Sequence, residues 1–428
     1  MSGAADVMSS DGEAAPDPEV LERRPHDDVG APWWARWWSR WWVPVLVVYA
    51  ATRVITTILL QILASVQGPN PWTGPQPGYF DFATIWDGHW YYLVSLYGYP
   101  AVLPVAHGHV EQNAWAFLPA YPGLVNAVQF VTQLPWAVCA VLISVAFGAG
   151  AALLFYRLLR RLRFSSSTSL FAIVLFCVAP VSPLFQLAYA EAMYIFLLAA
   201  ALLLLVERRY ALLFPVVLVM AFTRPSGLAF ALALGLHVSY RWVVRRKDPF
   251  PVRERVLSVC LTVFSVLAGL AWPAIAAAVT GNPSAYTDTE LAWRSSYLGW
   301  MQLVPFTSWF QGADWWFKYG LGLQGWLGIP TVLIVLALFA VCMFSPAVRR
   351  LGADVMFWII AYAVYLLAVF FPQSSIFRIL MPMFPLLGVI AIPKSKVYRV
   401  ALVVVFLALQ LGWLLIAWGV DGADWTPP

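Results

Sequence analysis

Apolar segments recur along nearly the whole chain, from Val43 to Trp418, with short polar stretches between them. Inside a bilayer the backbone polar groups find no water, and a helix satisfies them within its own segment. The 428 residues are 61% hydrophobic and only 11% charged, with a mean hydropathy of +0.75. We therefore predict an all-α, polytopic membrane protein.

Eleven membrane segments are expected from the hydropathy of the chain. They are 43–66, 136–156, 168–187, 191–206, 211–222, 226–240, 256–279, 322–343, 353–371, 377–392 and 397–418. The segment 114–132 is predicted instead as a helix lying at the outer interface, because Pro119 and Pro122 stand near its start.

Positive charges decide the orientation of these segments. With the N-terminus in the cytoplasm, the basic clusters between segments all fall on the cytoplasmic side. These clusters are Arg157/Arg160/Arg161/Arg163, Arg208/Arg209, Arg241/Arg245/Arg246/Lys247, Arg349/Arg350 and Lys394/Lys396/Arg399. The loop 67–113 then faces outside, and it contains no Lys or Arg. We expect a multi-pass protein of the plasma membrane with a large first extracytoplasmic loop.

The ends of the chain differ from its membrane part. Residues 1–32 are predicted to be a disordered cytoplasmic tail, because the first 28 carry eight acidic residues and no apolar run. Residues 33–420 are predicted to form one transmembrane domain, with 67–135 as its first extracytoplasmic loop, and 421–428 a short outer tail. The net charge of +5 reflects orientation, so we expect membrane lipids and no nucleic acid as partners.

The first outer loop places carboxylates among aromatic residues. Asp81 stands five positions before Trp86, Asp87 follows directly, and His89 comes two positions later. Carboxylates of this kind, outside the membrane and beside indole rings, favour an active site in this loop. His89 either orients an acceptor hydroxyl or is a polar residue of the interface.

A short apolar segment indicates a break at membrane depth. Twelve residues, 211–222, span about 18 Å as a helix against a hydrocarbon core of about 30 Å. Pro225 and Gly227 interrupt the helix there, so the backbone must line a cavity or be packed in protein. Arg224 at this break needs an anionic partner. The alternatives are an internal ion pair, with Glu191 or an aspartate, and a substrate anion.

The predicted topology gathers polar residues at the outer face. They are Asp81, Asp87, Gln112, Asn113, Glu191, Arg224 and Arg378. Their convergence on one face favours a ligand site over separate solvated loops.

Transfer of a sugar from a lipid phosphate fits these groups. The leaving group is already an anion, so it needs a cation more than a proton. One carboxylate then suffices as base for the acceptor hydroxyl. Arginine suits a phosphate because its planar fork bonds two oxygens at once.

Five ordered segments resemble the motifs of the PIG-V family, the GPI mannosyltransferase II-type enzymes and their bacterial relatives. They are WDGHWYYL with YGYP at 86–100, QNAWAFLPAYP at 112–122, SP with YAEAM at 182–193, TRPSGL at 223–228 and FRILMPMFP at 377–385. The resemblance implies a GT-C fold and an inverting hexosyltransferase. It further implies that mannose comes from a polyprenyl-phosphate donor outside the cytoplasm, without a metal or other cofactor.

The resemblance also assigns roles to residues by position. Asp87 becomes the catalytic base, and Gln112, Asn113, Glu191 and Arg224 line the site. Asp81, Trp86 and His89 are expected to contact substrate as well. The family often has Arg immediately before Trp-Asp, whereas this chain has Ile85. Either Arg378 or Arg224 is therefore expected to bind the donor phosphate.

Three other functions compete with this prediction. A transporter or flippase of lipid-linked glycans would also use broken helices and a buried arginine, but the polar loop has no counterpart in the second half of the chain. A GT-C enzyme that uses a different sugar and a non-catalytic membrane subunit are the others. A metal site at His107, His109 and Glu111 lacks a ligand-spaced partner, so we expect none.

The composition, rich in Ala, Arg and Trp and poor in Lys, is typical of a high-GC bacterium. We accordingly expect a bacterial plasma membrane. The acceptor is then expected to be a phosphatidylinositol mannoside, a lipoglycan or another envelope glycan in place of a GPI anchor.

Overall fold

A computed structural model describes residues 40–419 and Pro427. The chain divides into two units, Met1–Pro44 and Val45–Pro428. Only residues 40–44 of the first unit are described, and all other described residues belong to the second. The predicted tail 1–32 and nearly all of the predicted tail 421–428 lie outside the described residues, so the proposed domain limits stay predictions.

The described part is almost entirely helical. Its helices are α1 (Trp42–Ser65), α2 (Tyr79–Phe82), α3 (Asp87–Tyr97), α4 (Ala120–Thr132), α5 (Trp136–Arg161), α6 (Ser166–Val178), α7 (Glu191–Val206), α8 (Tyr210–Ala221), α9 (Gly227–Val244), α10 (Val252–Thr280), α11 (Ala285–Ala292), α12 (Ser295–Leu298), α13 (Ser308–Trp315), α14 (Gly328–Phe344), α15 (Pro346–Arg349), α16 (Gly352–Val369), α17 (Ile376–Ile379), α18 (Leu386–Ile390) and α19 (Lys396–Ala417).

Short elements complete the fold. Turns of 3₁₀ helix lie at Ala114–Ala116, Ser182–Gln186, Gly325–Leu327 and Met381–Met383, and one π-helical turn lies at Trp316–Gly320. Two strands, β1 (Val105–Ala106) and β2 (His109–Val110), form an antiparallel hairpin in the first loop. The all-α prediction is confirmed apart from this small hairpin.

Seven described helices are long and apolar enough to cross a membrane: α1, α5, α9, α10, α14 with the turn before it, α16 and α19. The shorter apolar helices α6, α7 and α8 coincide with three more predicted segments. The eleven-span prediction is not confirmed. The segment 377–392 is divided into α17, a 3₁₀ turn and α18, because Pro382 and Pro385 remove backbone donors.

A buried arginine in α1 explains where α6 ends. The predicted segment 168–187 is helical only to Val178, and Pro180 follows. Arg53 donates to the carbonyl oxygens of Cys177, at 2.7 Å, and Ser182, at 2.5 Å. A cation is favourable at the carbonyl end of a helix. These contacts pair both terminal nitrogens of an arginine that the hydropathy of α1 does not reveal.

Helix α7 lies at the centre of the core. Twelve of its 16 residues are buried, and it packs against α5, α8 and α16. It is apolar all round, which is typical of a helix enclosed by other helices. Its first residue is Glu191, so a carboxylate stands at the end of the most enclosed helix.

The predicted break after α8 is confirmed. Helix α8 has 12 residues, and the chain turns through Arg224 before α9 starts at Gly227. At this point α9 crosses α10 closely. A Cβ atom on Gly227 would lie 2.6 Å from the Cα of Gly269, so two glycines permit the backbones to approach.

Replacing Gly227 by alanine is expected to lower the free energy of unfolding by about 1–3 kcal/mol, because the methyl group meets backbone that cannot move aside. Gly235→Ala in the same helix is the matched control, since a Cβ there meets nothing within 4 Å. Thermal unfolding in detergent measures both variants. Equal midpoints for the two would contradict the close crossing.

Candidate active site

Asp87 is placed by an unusual backbone conformation. Trp86 precedes α3 with φ +61°, a region that side chains with a Cβ rarely adopt. Its indole N–H donates to the carbonyl oxygen of Ala417 at 2.7 Å, and the backbone N–H of Asp87 donates to the Tyr189 hydroxyl at 3.2 Å. These two contacts hold the turn that directs Asp87.

The beginnings of α3 and α7 are fastened together. The N–H of Ala188 donates to the carbonyl oxygen of Ala83 at 3.0 Å. A Cβ on Gly88 would lie 3.3 Å from the Ala188 oxygen, so the glycine permits close packing. Asp87 and Glu191 are the first residues of these two helices, and a carboxylate is favourable at the positive end of a helix dipole.

Two arginines pair with these carboxylates, and one of them, Arg378, bridges both. Arg378, in α17, donates through Nη1 to Asp87 and, at 3.2 Å, to Glu191. Arg224, from the break between α8 and α9, lies 3.1 Å from the same Glu191 oxygen. The Arg378 guanidinium also lies 5.6 Å from the centre of the Tyr189 ring. The structure thus brings four predicted site residues into one ion-pair network.

Charge within this network is balanced, with two carboxylates facing two guanidinium groups. The Arg224–Glu191 pair is the internal ion pair that the sequence left as an alternative. Two oxygens remain available for other partners. Glu191 Oε2 is buried without a hydrogen-bond partner among the described residues, and in the same part of the chain no residue donates to Asp87 Oδ1.

The network faces a cavity of about 500 Å³, a volume usual for small-molecule sites. Asp87, Glu191, Arg224 and Arg378 all line it. Apolar side chains of α7, α9, α10 and α16 form much of the remaining wall, among them Ile195, Leu228, Leu270 and Leu366. The cavity therefore combines a charged end with an apolar lining.

The sequence reasoning missed several polar residues of this cavity, and three of them stand close together in one loop. Tyr286 and Glu290 belong to α11, and Arg294 follows it. They lie in the loop between α10 and α14, where no motif marks them. The one signal in the sequence is that Glu290 and Arg294 stand four positions apart, which is the spacing of neighbouring side chains on one face of a helix.

Burial raises the pKa of Glu290 above the ordinary value of 4.5. Arg224 and Arg294 act in the opposite direction, and the charge of Asp87 adds to the rise. No described cation lies within the 4.0 Å of an ion pair with Glu290. Glu290 therefore holds a proton more readily than an ordinary glutamic acid does.

Asp81 and His89 lie elsewhere. They line a second cavity of about 480 Å³, together with Trp72, Tyr92 and Trp136. The His89 ring lies 4.6 Å from that of Trp72, centre to centre. The structure does not bring these two residues into the cavity of Asp87.

Three other predicted site residues line neither of the two cavities. Trp86 is held by Ala417, as described above, and Gln112 is exposed. Asn113 is buried: its side chain accepts from the N–H of Trp115 at 3.0 Å and donates to Thr289 at 2.9 Å. Asn113 thus fastens the first loop to α11.

Among the described residues, no group of three or more His, Cys, Asp and Glu side chains is placed to hold a metal ion. The ring of His109 stacks on Trp300 with 4.6 Å between centres, which gives that residue a packing contact. The expectation of a metal-independent site stays a prediction.

No protein-family model and no curated protein matches this chain. Among solved structures, the oligosaccharyltransferase of Archaeoglobus fulgidus, crystallised in complex with Zn and sulfate, is similar at a TM-score of 0.45 and 12% sequence identity. The match covers 89% of this chain and 53% of that one, so the chain spans about half the length of that protein. Similarity at this level identifies no family.

Removing the charge of Glu191 should strongly destabilise the protein. Glu191→Gln leaves two buried guanidinium groups without their shared anion, and we expect a loss of about 3–5 kcal/mol in unfolding free energy. Glu207→Gln is the control, because Glu207 pairs with an Arg209 side chain that is 62% exposed, where a pair contributes about 0–1 kcal/mol. Thermal or denaturant unfolding in detergent distinguishes them, and equal losses would contradict the shared-anion arrangement.

Proposed function

We propose that the protein is an inverting glycosyltransferase that moves mannose from a polyprenyl-phosphate donor to a lipid-linked or envelope glycan on the extracytoplasmic face. One observation carries the proposal: Asp87 presents an oxygen without a described partner in a cavity that also holds arginines and an apolar wall. A base, cations and a hydrophobic lining are what transfer from a lipid phosphate requires. The choice of mannose rests on the motifs quoted above.

Asp87 acts as the base in this proposal. Its Oδ1 accepts the proton of the acceptor hydroxyl while the hydroxyl oxygen forms a bond to the anomeric carbon. The bond between that carbon and the phosphate oxygen breaks, and its electron pair leaves on the phosphate. Attack from the face opposite the phosphate inverts the anomeric configuration.

Arg378 and Glu191 position the base. Arg378 occupies the other Asp87 oxygen, so the carboxylate cannot rotate without breaking a charge-assisted hydrogen bond. Glu191 in turn fixes Arg378 and Arg224. Such a preformed arrangement avoids reorganisation during the reaction.

The apolar wall suits the prenyl chain of the donor. Leu228 and Leu270 line the cavity, yet they are 39% and 48% exposed on α9 and α10, two helices long enough to span a membrane. An acyl or prenyl chain lying against these helices would therefore continue into the cavity. Trp293, in the same lining and only partly buried, is the aromatic side chain proposed to contact a sugar ring.

Asp87→Asn should reduce turnover by about 10²-fold to 10⁴-fold, because the amide keeps the shape and loses the basic oxygen. The assay measures radiolabelled mannose moved from polyprenyl-phosphate mannose to phosphatidylinositol mannoside by the protein in nanodiscs. Asp288→Asn is the control. Asp288, in α11, accepts a hydrogen bond from the Ser284 hydroxyl just before that helix and does not line the cavity.

Near-normal turnover of Asp87→Asn at equal abundance would show that the base is another group. Transfer of glucose in preference to mannose, from the same lipid, would retain the reaction and change the sugar. Movement of intact donor across a vesicle membrane without any transfer would favour the transporter.

A further inference from the structure

The ion-pair network leaves one cavity arginine unmatched. Arg378 pairs with both Asp87 and Glu191, and Arg224 pairs with Glu191, all at ion-pair distance. Their two positive charges are therefore already balanced by two negative ones. An anionic ligand gains little net attraction from a neutralised group, so neither of these arginines is the best place for a phosphate.

Arg294 differs from both. Its guanidinium lines the same cavity, and no described carboxylate lies within 4.0 Å of it. It donates to Ser308 Oγ at 3.2 Å and to the carbonyl oxygen of Val369 at 3.1 Å. Two neutral acceptors fix the side chain, and since a guanidinium has five N–H donors, others remain for a ligand.

The surroundings of Arg294 favour an anion. Burial lowers the pKa of this arginine, and the opposite effect of Glu290 does not cancel that of burial. A bound anion would supply the missing compensation. Glu290 holds its proton more readily than an ordinary glutamic acid, so it opposes an anion less than a carboxylate would.

The helix before Arg294 is anchored to the rest of the fold. Thr289 accepts from the buried Asn113 side chain at 2.9 Å, and the Arg294 contacts join this loop to α13 and α16. The guanidinium is thus held by α13 and α16, and the preceding helix α11 is held by the first loop. Preorganisation of this kind reduces the entropy lost when a ligand binds.

We propose that Arg294 is the phosphate-binding residue of the cavity and takes the phosphate of a prenyl-phosphate lipid. This assignment rests on the proposed function, since it names the residue that receives the donor's leaving group. It replaces Arg224 and Arg378 in that role and leaves them as residues that position Glu191 and Asp87. The developing charge on the phosphate oxygen would face the unmatched cation.

Binding of farnesyl phosphate to the full-length protein in phosphatidylcholine nanodiscs tests this, with farnesol and inorganic phosphate as further probes. Arg294→Gln should weaken farnesyl phosphate about 10-fold to 100-fold, the usual effect of losing a charged hydrogen-bond partner, and leave farnesol unchanged. Arg294→Lys should give a smaller loss, because charge remains without the fork. Lys318→Gln, an exposed cation of the same loop, should bind like the wild type.

Each other outcome decides against the proposal. Unchanged farnesyl phosphate affinity in Arg294→Gln overturns the assignment, while transfer activity and the role of Asp87 stand. Equal weakening of farnesyl phosphate and farnesol means that the variant has lost structure around the prenyl chain and not a phosphate contact. Displacement of farnesyl phosphate by phosphatidylglycerol at the same concentration overturns the choice of a prenyl lipid. Absence of wild-type binding to every prenyl probe removes the proposed function as well.

The pH dependence of the same binding tests the part played by Glu290. Glu290 faces Tyr286 and Tyr365 as well as Arg224, Arg294 and Asp87. As the pH rises through its raised pKa, Glu290 ionises and repels the phosphate. Wild-type affinity relative to Glu290→Gln should therefore fall with rising pH, starting above the ordinary value of 4.5. Because the phosphate titrates equally in both measurements, its own titration cancels in the ratio of the wild-type affinity to that of Glu290→Gln. A constant ratio from pH 4.5 to 8.5 would contradict this role.

Discussion

The carboxylate of Glu191 is the interaction on which the site depends. Its side chain is only 4% exposed, and one of its oxygens receives both Arg224 and Arg378. These three residues come from the start of α7, the break after α8 and the short helix α17. Charges buried among apolar helices are costly unless paired, so the pairing fixes where each of these backbones can lie. Asp87 joins through Arg378 and brings the first loop to the same point.

This arrangement separates positioning from ligand binding. The four charges of the network neutralise one another and hold the backbone, whereas the other acidic and basic residues of the cavity, Glu290 and Arg294, come from the loop between α10 and α14. A cavity whose fixed charges are already balanced responds mainly to its remaining polar groups. In the proposed function, Asp87 Oδ1, Glu290 and Arg294 are the polar groups that act on the reacting atoms and the phosphate.

Sequence patterns predicted the fold wherever hydropathy alone decides it, as for α1, α5, α10 and α19, and the short helix α8 followed from its length and Pro225. Prolines within an apolar run broke the segment 377–392, which hydropathy treats as continuous. The residues Asp87, Glu191, Arg224 and Arg378 were found by charge in apolar surroundings. Asp81 was grouped with them because the predicted topology places it at the same outer face, and His89 because it follows Asp87 by two positions. Positions 87 and 89 lie about 160° apart around a helix. The contacts of α11 reach across the fold and leave no local signal in the sequence.

A cryo-electron microscopy map of the protein in nanodiscs, with a non-hydrolysable polyprenyl-phosphonate mannose, tests the central claim most directly. The account predicts the sugar beside Asp87, the phosphonate at Arg294 and the prenyl chain along Leu228 and Leu270. A phosphonate bound beside Asp81 and His89 in the second cavity, with the Asp87 cavity empty, would contradict it.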